Sequence, residues 1–343
     1  MDKEQLLTEV SMGRRPTQES SGQQPLSMKP SPSPLSSERS RGICGSANLS
    51  WKCFFDRRGD LRFYFRCLAI INAMGFRFIR GWLSAAAAFI LVLPHPQAWA
   101  WGNEGHRIIA DIARDHLNES TLQQLRQFLG DNDLASISTW ADDIRSARPE
   151  TGPWHYVDIS PDSAGYEPKD CPEDNCVVAQ INKFARILGD PEQPFAARSE
   201  ALKFLVHFVG DLSQPFHAMA DARGGNDIPV TVFGSTQCGD YACNLHSVWD
   251  SELIRHTGLR EHRYARALEQ MIATEHLQAG STDPVAWAND SLQLAKEAWV
   301  QPQAEIDEAY YLRERPVVDR QLALAGLRLA RLLNEELGGS ARP

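Results

Sequence analysis

The segment FLVHFVGDLSQPFH, residues 204–217, carries the clearest structural pattern in this chain. Its apolar residues recur at spacings of three and four, which is the repeat of a helix, and a proline then ends the helix that we predict over 197–213. His207 and Asp211 lie four apart, so their side chains emerge from the same side of that helix. His217 follows just past the proline. The segment therefore predicts a helix that presents an imidazole and a carboxylate together.

The same spacing predicts further helices in the second part of the chain, at about 103–116, 121–129, 134–147, 177–188, 245–256, 260–275, 283–299 and 315–337. Two segments, 154–159 and 228–233, alternate between apolar and polar residues and predict a small pair of strands. Long loops are expected at about 158–176 and 218–244. The fold class that we expect is mostly α: one compact helical domain over residues 101–343 with a small β-hairpin.

Composition and charge limit the function. Of the 343 residues, 43% are apolar and 23% are charged, a globular balance that excludes a fully disordered or fibrous chain. The net charge of −9 is unevenly divided, since residues 1–100 hold 13 Lys and Arg against 7 Asp and Glu, whereas residues 101–343 hold 22 against 37. The acidic second part argues against a wide basic groove for duplex nucleic acid. Any phosphate ligand must be attracted by something other than Lys and Arg.

Residues 74–100, MGFRFIRGWLSAAAAFILVLPHPQAWA, have the features of a secretory signal peptide. Two arginines precede an apolar run of about a dozen residues, and Ala98 and Ala100 form an A-x-A cleavage signal. A membrane anchor is the alternative, but the run is shorter than the roughly 20 residues that span a bilayer. We expect cleavage before Trp101, and a secreted or periplasmic protein without a membrane span.

Residues 1–73 precede this signal and are rich in Ser, Pro, Gln and Arg up to about residue 50. Such a composition cannot bury a core, so we expect a disordered extension. Met74 is a natural start for the signal peptide. One hypothesis is therefore that residues 1–73 come from a wrongly assigned start codon, and a genuine N-terminal tail is the alternative.

The exported part holds four cysteines as two pairs with a spacing of five, Cys171 with Cys176 and Cys238 with Cys243. An even count in an exported chain favours a disulfide within each pair. A four-cysteine zinc site is the alternative, which this spacing fits less well. The disulfides would brace the two predicted loops.

A second histidine–carboxylate pair, His246 and Asp250, repeats the spacing of four. A surface ion pair or a core histidine is the plain interpretation of any one such pair. Two pairs on either side of a glycine-rich loop, with His217 between them, favour a metal site instead. Imidazole nitrogen and carboxylate oxygen suit zinc, and one carboxylate can bridge two ions.

Three other segments carry the same kinds of residue. WADDIR, residues 140–145, places carboxylates in an apolar helical pattern, and the extended segment WHYVD puts His155 and Tyr156 on opposite faces. Cleavage of the signal peptide would leave Trp101 at the new N-terminus, five residues before His106. A free α-amino group is itself a good nitrogen ligand.

These segments follow one another in the order WGNEGHRIIADIA, WADDIR, WHYVD, FLVHFVGDLSQPFH, ARGGNDI and NLHSVWD. Together they resemble the zinc-dependent S1/P1 nuclease family, to which mung bean nuclease and the plant bifunctional nucleases belong. The resemblance spans about 101–338. It implies a mostly α-helical fold, similar to that of zinc phospholipase C, that holds three zinc ions (Zn²⁺) in a cleft.

The resemblance implies a ligand set for each of the three ions. The first ion is held by Asp142, His155, His207 and Asp211. The second ion is held by His217, His246 and Asp250. The third ion is held by the backbone amine and carbonyl of Trp101, by His106, and by Asp211 as a bridge.

The resemblance also implies which residues handle the substrate. Arg145 contacts the scissile phosphate, and Asp158 lies near the attacking water. Tyr156 offers a ring on which a base stacks, and Asn226 in ARGGNDI binds substrate. Ser213 departs from the family pattern, since many members have His at this position.

The implied reaction is endonucleolytic hydrolysis of single-stranded DNA and RNA to 5′-phosphorylated products, with removal of 3′-phosphates from mononucleotides. Metal ions rather than basic side chains would attract the phosphate, which agrees with the acidic charge. A zinc-dependent phospholipase C that acts on phospholipid head groups is the alternative, and a non-catalytic zinc-binding protein is a further one. The implied partners are single-stranded nucleic acid and nucleotides, with no stable protein partner and a monomeric state.

Overall fold

The structure is a computed structural model and describes residues 101–339. The expected disordered extension 1–73 and the expected signal peptide 74–100 lie outside the described residues. Residues 101–339 are mostly helical, as the sequence predicts.

The α-helices, numbered α1 to α10, are Asn103–Asp115, Glu119–Leu129, Trp140–Asp143, Val177–Gly189, Phe195–Ser213, Leu245–Ser247, Leu253–His256, Glu261–Glu275, Pro284–Ala298 and Glu308–Leu337. Short 3₁₀ helices are Ala135–Ile137, Pro149–His155, Pro168–Asp170, Pro172–Asp174 and Pro215–Ala218. The strands β1 to β4 are Thr231–Val232, Gln237–Cys238, Tyr241–Ala242 and Glu305–Ile306. The segment Ala222–Gly225 is a left-handed turn, because φ is positive at all four residues.

Helix α5 lies at the centre of the core. From Ala201 to Ser213 nearly every side chain is buried, so the helix is enclosed on all sides rather than on one face. Helices α4 and α10 both pack against it, and α1 packs against α10. As a result His207 and Asp211, which α5 carries, are both fully buried.

The predicted helix 134–147 is broken in the structure into Ala135–Ile137 and α3. The Ser138 hydroxyl donates to the Ala135 carbonyl, and the Ser138 carbonyl accepts a hydrogen bond from His207 Nδ1. A carbonyl inside a regular helix would be taken by the helix itself. The break therefore frees a carbonyl for a buried histidine.

Two other predicted helices differ in detail. Residues 245–256 are helical throughout, but the middle, Val248–Glu252, is a π-helical turn that contains Asp250. The last helix begins at Glu308 rather than at 315, because the Asp307 carboxylate caps it by accepting from the Tyr310 N–H. Proline is typical of the first turn of a helix, but the proline of this helix lies in its interior.

The predicted pairing of 154–159 with 228–233 is wrong. The first segment enters a 3₁₀ helix and then runs extended, where the Val157 N–H donates to the His217 carbonyl at 2.8 Å. In the second segment β1 pairs in parallel with β4, and the β-hairpin is formed further along by β2 and β3. Alternation of apolar and polar residues indicates that one face of a segment is buried. An extended segment can bury one face without pairing with a neighbouring strand.

Both predicted disulfides are present, Cys171–Cys176 and Cys238–Cys243. They exclude the four-cysteine zinc site and brace the loops before α4 and around the hairpin. Among the described residues, none of the helices combines the length and the apolar character needed to cross a membrane.

Candidate metal centre

Four predicted ligands, Asp142, His155, His207 and Asp211, converge in the core, and we call them the first group. Asp211 Oδ2 lies 2.9 Å from His155 Nδ1, and Asp211 Oδ1 lies 3.3 Å from His207 Nε2. Asp142 Oδ2 lies 3.5 Å from His207 Nε2, and its Oδ1 lies 3.7 Å from His155 Nδ1. All four side chains are buried. The structure thus brings together residues from α3, α5 and a 3₁₀ helix that the sequence left far apart.

A backbone carbonyl fixes how His207 faces this group. Its Nδ1 donates to the Ser138 carbonyl at 2.7 Å, which leaves Nε2 unprotonated in a neutral imidazole. The Nε2 lone pair then points at the carboxylate oxygens of Asp142 and Asp211. In a buried site these negative atoms repel one another unless a cation lies between them.

His217, His246 and Asp250 form the second group. His217 Nδ1 donates to the His155 carbonyl at 2.6 Å, and His246 Nδ1 donates to the Gly224 carbonyl at 2.7 Å. Their Nε2 atoms face each other at 3.1 Å, and Asp250 Oδ1 lies 3.6 Å from His246 Nε2. Two imidazole lone pairs and a carboxylate oxygen directed at one point form the donor set of a divalent metal ion.

Gln214 orients the second group, a role that the sequence analysis missed. Its Nε2 donates to Asp250 Oδ1 at 2.7 Å, and its Oε1 accepts a backbone N–H of the next turn at 2.6 Å. The carbonyls of Ser138, His155 and Gly224 orient the histidines in the same way. No sequence pattern signals a carbonyl, since every residue has one. For Gln214 the available signal was its place between two candidate ligands.

Trp101 and His106 approach both groups from the start of α1. Trp101 is fully buried, and the Gly102 N–H donates to the Asp250 carbonyl at 2.6 Å. His106 Nε2 lies 3.3 Å from Asp211 Oδ1, and its ring stacks on that of His207 with centroids 3.9 Å apart. The predicted start of the mature chain therefore lies beside the ligands of all three predicted ions.

Burial dominates the electrostatics of the two groups. Desolvation lowers the pKa of His155 and His217 well below the usual range and the pKa of His246 to about 4, so these imidazoles are neutral. The same desolvation raises the pKa of the Asp211 and Asp250 carboxyls well above the ordinary value. Neutral imidazoles keep their lone pairs available for a metal ion, and buried carboxylates need a cation in order to stay charged.

The predicted substrate residues lie at the edge of the site. Arg145 Nη1 donates to Asp142 Oδ1 at 3.3 Å from a side chain that is 15% exposed. Tyr156 is 38% exposed. Its partial burial raises the pKa of its hydroxyl, and the negative charge of Asp158 raises it further. Asp158 itself is exposed. Asn226 Nδ2 donates within its own turn, to the Arg223 carbonyl at 2.8 Å, so this amide closes the turn rather than contacting the two groups.

The residues present fit divalent metal ions. Ligand atoms come within 4.8 Å of one another in three sets of the described residues, which are His106 with Asp142 and His207, His155 with His207 and Asp211, and His217 with His246 and Asp250. Asp211 Oδ1 is buried and accepts no hydrogen bond from the residues that the structure describes. A buried carboxylate oxygen without a donor is stabilised by a cation.

Comparison with known proteins identifies the arrangement. A profile of the family described as S1/P1 Nuclease matches residues 101–338. The chain belongs to the S1/P1 nuclease family. Endonuclease 4 of Arabidopsis thaliana is 32% identical over 278 residues, which cover 69% of this chain and 89% of that protein. Nuclease S1 of Aspergillus oryzae and Nuclease P1 of Penicillium citrinum are each 30% identical, and the matches cover 69% and 68% of this chain and 91% and 97% of theirs.

Membership in the S1/P1 nuclease family confirms the resemblance read from the sequence motifs. This S1/P1 nuclease is a hydrolase of phosphodiester bonds, and its substrate is nucleic acid. Its buried histidine–carboxylate groups are consistent with the use of metal ions. Its two disulfides fit an exported protein.

Proposed function

We propose that this S1/P1 nuclease is a zinc enzyme that cleaves single-stranded DNA and RNA to 5′-phosphorylated products and also removes the 3′-phosphate of mononucleotides. The observation that carries the proposal is the pair of facing Nε2 atoms of His217 and His246, 3.1 Å apart with both Nδ1 atoms bonded to carbonyls. A metal ion between the two Nε2 atoms would accept both lone pairs. Buried imidazole and carboxylate donors are the ligands that zinc prefers.

Three zinc ions account for the predicted ligands. The first group would hold one ion and the second group another. The Trp101 amine and carbonyl, His106 and Asp211 would hold the third, so Asp211 would contribute to two of the proposed sites. When bound, the ions supply positive charge for the phosphate and acidify a water towards neutral pH.

Arg145 and Asp158 assist from the edge of the site. The Arg145 guanidinium lies against Asp142. The remaining N–H groups of Arg145 hold phosphoryl oxygens and balance the negative charge that grows in the transition state. Asp158 follows His155 by three residues and orients the attacking water. Both roles are carried by charges that the chain itself supplies.

The exposed Tyr156 ring accounts for a preference for single strands. A base must reach this ring while its phosphate reaches the metal centre next to His155. In a duplex the base is paired and stacked, and removing it from the stack costs a few kcal/mol. Asn226, on the turn beside His246, contributes the Oδ1 of its amide to substrate binding.

The position of Trp101 supports export of a processed chain. Cleavage after Ala100 would create the amine at a fully buried residue, one position before Gly102, whose N–H donates to the Asp250 carbonyl. We therefore propose a signal peptide at 74–100, a mature domain from 101 to 343 and a secreted or periplasmic enzyme. This enzyme acts as a monomer without a stable protein partner.

The test uses residues 101–343 beginning at Trp101. Bound zinc is counted by elemental analysis, and the same sample is assayed on denatured DNA, RNA and a 3′-mononucleotide with and without a chelator. We expect about three zinc ions and chelator-sensitive release of 5′-nucleotides and nucleosides. Three zinc ions with hydrolysis of a choline phospholipid but not of denatured DNA would contradict the proposal. A folded sample without zinc would contradict the metal assignment.

Two changes test individual ligands. Asp211→Asn removes the shared ligand, so zinc content and activity should both fall; the matched control is Asp115→Asn, which alters an exposed carboxylate paired with Arg114 at 2.9 Å. One glycine added before Trp101 moves the amine away and should release the third ion. An unchanged rate in either case would show that the assigned ligand is not used.

A further inference from the structure

We propose that Arg223 binds a phosphate that neighbours the scissile phosphate in the strand, and so favours polynucleotides over substrates with a single phosphate. The proposal rests on the proposed function, because it requires a strand to lie in the metal site. Arg223 lies in the motif ARGGNDI three residues before Asn226, and the sequence patterns assigned it no role. Its place is set by the tertiary structure.

The turn that carries Arg223 is fixed against the second group. The carbonyl of the next residue, Gly224, accepts the hydrogen bond from His246 Nδ1 at 2.7 Å. A Cβ at Gly224 would clash with the Phe216 carbonyl oxygen, so the turn packs closely against the 3₁₀ helix that contains His217. Arg223 is therefore the residue immediately before the one whose carbonyl contacts His246 of the metal centre.

The backbone of the turn is held in an unfavourable conformation. φ is 44° at Ala222 and 52° at Arg223, in the left-handed region that residues with a side chain rarely adopt. Such conformations persist where the surrounding contacts determine them, and they are concentrated at functional sites. Here they direct the Arg223 side chain outward from the turn while the Gly224 carbonyl faces His246.

The Arg223 guanidinium is exposed yet oriented. Its side chain is 62% exposed, and Asp227 holds it through Nε at 3.0 Å from each carboxylate oxygen and through Nη2 at 2.7 Å. These contacts use one edge of the guanidinium and leave the edge with Nη1 turned away from Asp227. That second edge carries the paired N–H groups that bind phosphate oxygens in a bidentate manner.

Arg223 and Arg145 are associated with different groups of the metal centre. Arg145 contacts Asp142 in the first group, whereas Arg223 belongs to the turn that contacts the second group. The positive charges of both arginines lower the pKa of the Tyr156 hydroxyl, so both act on it electrostatically. With a base on Tyr156 and the scissile phosphate at Arg145, Arg223 is the cation placed for the next phosphate.

The test compares Arg223→Gln with the wild-type enzyme on two substrates that differ by one nucleotide. A dinucleoside monophosphate contains only the scissile phosphate, and a trinucleoside diphosphate adds a neighbouring one. We expect KM for the longer substrate to rise about fivefold in the variant, which is the effect of one exposed ion pair, while its kcat stays unchanged. Kinetics on the dinucleotide should stay the same. The salt dependence of log(1/KM) for the longer substrate should become shallower by about 0.7, the value for one single-strand phosphate contact.

Two controls accompany this variant. Arg320→Gln removes an arginine that is also more than half exposed, paired with Glu275 at 3.3 Å between α8 and α10, and should change neither substrate's kinetics. Arg223→Lys keeps the positive charge but lacks the planar guanidinium. It should therefore keep the wild-type salt dependence and raise KM less than Arg223→Gln does. Zinc content and melting temperature are measured for every variant.

Equal losses on both substrates, or a loss of zinc in Arg223→Gln, would show that Arg223 acts only through the turn and His246, and would overturn the proposal. Unchanged kinetics on the longer substrate would overturn it as well. If the wild-type enzyme hydrolyses neither substrate, the proposed function fails, and calorimetric binding of the trinucleotide to the wild type and the variant then decides the role of Arg223 separately.

Discussion

Gly210→Ala tests how closely the position of His106 determines the metal centre. Gly210 lies in α5 next to Asp211, and the His106 ring covers it. A Cβ at residue 210 would lie 2.8 Å from His106 Nδ1 and 3.0 Å from its Cε1, whereas ordinary contacts begin at 3.4 Å. The ring must therefore move by about 0.6 Å to accept one methyl group.

A displacement of this size is large for a metal ligand. Ligand distances in metal sites hold to within about 0.2 Å, so a shift of about 0.6 Å should release the ion that we propose for His106. The ring cannot move freely, because His207 stacks on it with centroids 3.9 Å apart. Overpacking costs about 1–3 kcal/mol, and replacing glycine in a helix returns about 1 kcal/mol. The net loss is about 0–2 kcal/mol, which lowers the melting temperature by a few degrees.

The assay is elemental analysis of zinc together with a melting curve and the rate on denatured DNA. We expect Gly210→Ala to lose one of three ions and most of its activity while it remains folded. Gly152→Ala is the matched control, because no described atom lies within 4 Å of the added Cβ and the backbone there suits alanine. A Gly210→Ala enzyme with full zinc content and full rate would refute the reasoning.

Three further predictions concern residues around the centre and in the fold. Gln214→Ala frees Asp250 and should weaken zinc binding by the second group about 10–100-fold in a competition titration with a chelator, without unfolding the protein; unchanged affinity would exclude an orienting role. Replacing Cys238 and Cys243 together by serine opens a short loop and should lower the free energy of unfolding by about 2 kcal/mol in a urea titration. Tyr264→Phe removes the hydroxyl that donates to Asp319, so it should cost about 1 kcal/mol of stability and leave zinc content and rate unchanged.

Predictions from the sequence were confirmed where the contacts join residues that are close together in the chain. His207 and Asp211 are neighbours on any helix because they lie four residues apart, and this contact is present at 3.3 Å. The two disulfides join cysteines only five residues apart, so their pairing could also be predicted. In these cases a few consecutive residues contain all the information.

Predictions failed where the partner lies far along the chain. β1 pairs with β4, more than 70 residues away, so the alternation in 228–233 could not reveal its partner. The helix 134–147 is broken at Ser138 because the carbonyl there is bound by His207, 69 residues later. Local propensity contains no information about such contacts, and tertiary contacts override it.

The sequence by itself determined that this chain would be mostly helical and that two histidine–carboxylate pairs are spaced by four residues, because helical spacing and residue chemistry are properties of short segments. The remaining candidate ligands were implied by the family resemblance. Only the tertiary structure decided which nitrogen of His207, His217 and His246 faces the metal centre, since the carbonyls of Ser138, His155 and Gly224 come from distant segments. It also decided the burial that keeps those imidazoles neutral and brings Trp101 beside them. These features arise from packing between segments, which exists only once the chain has folded.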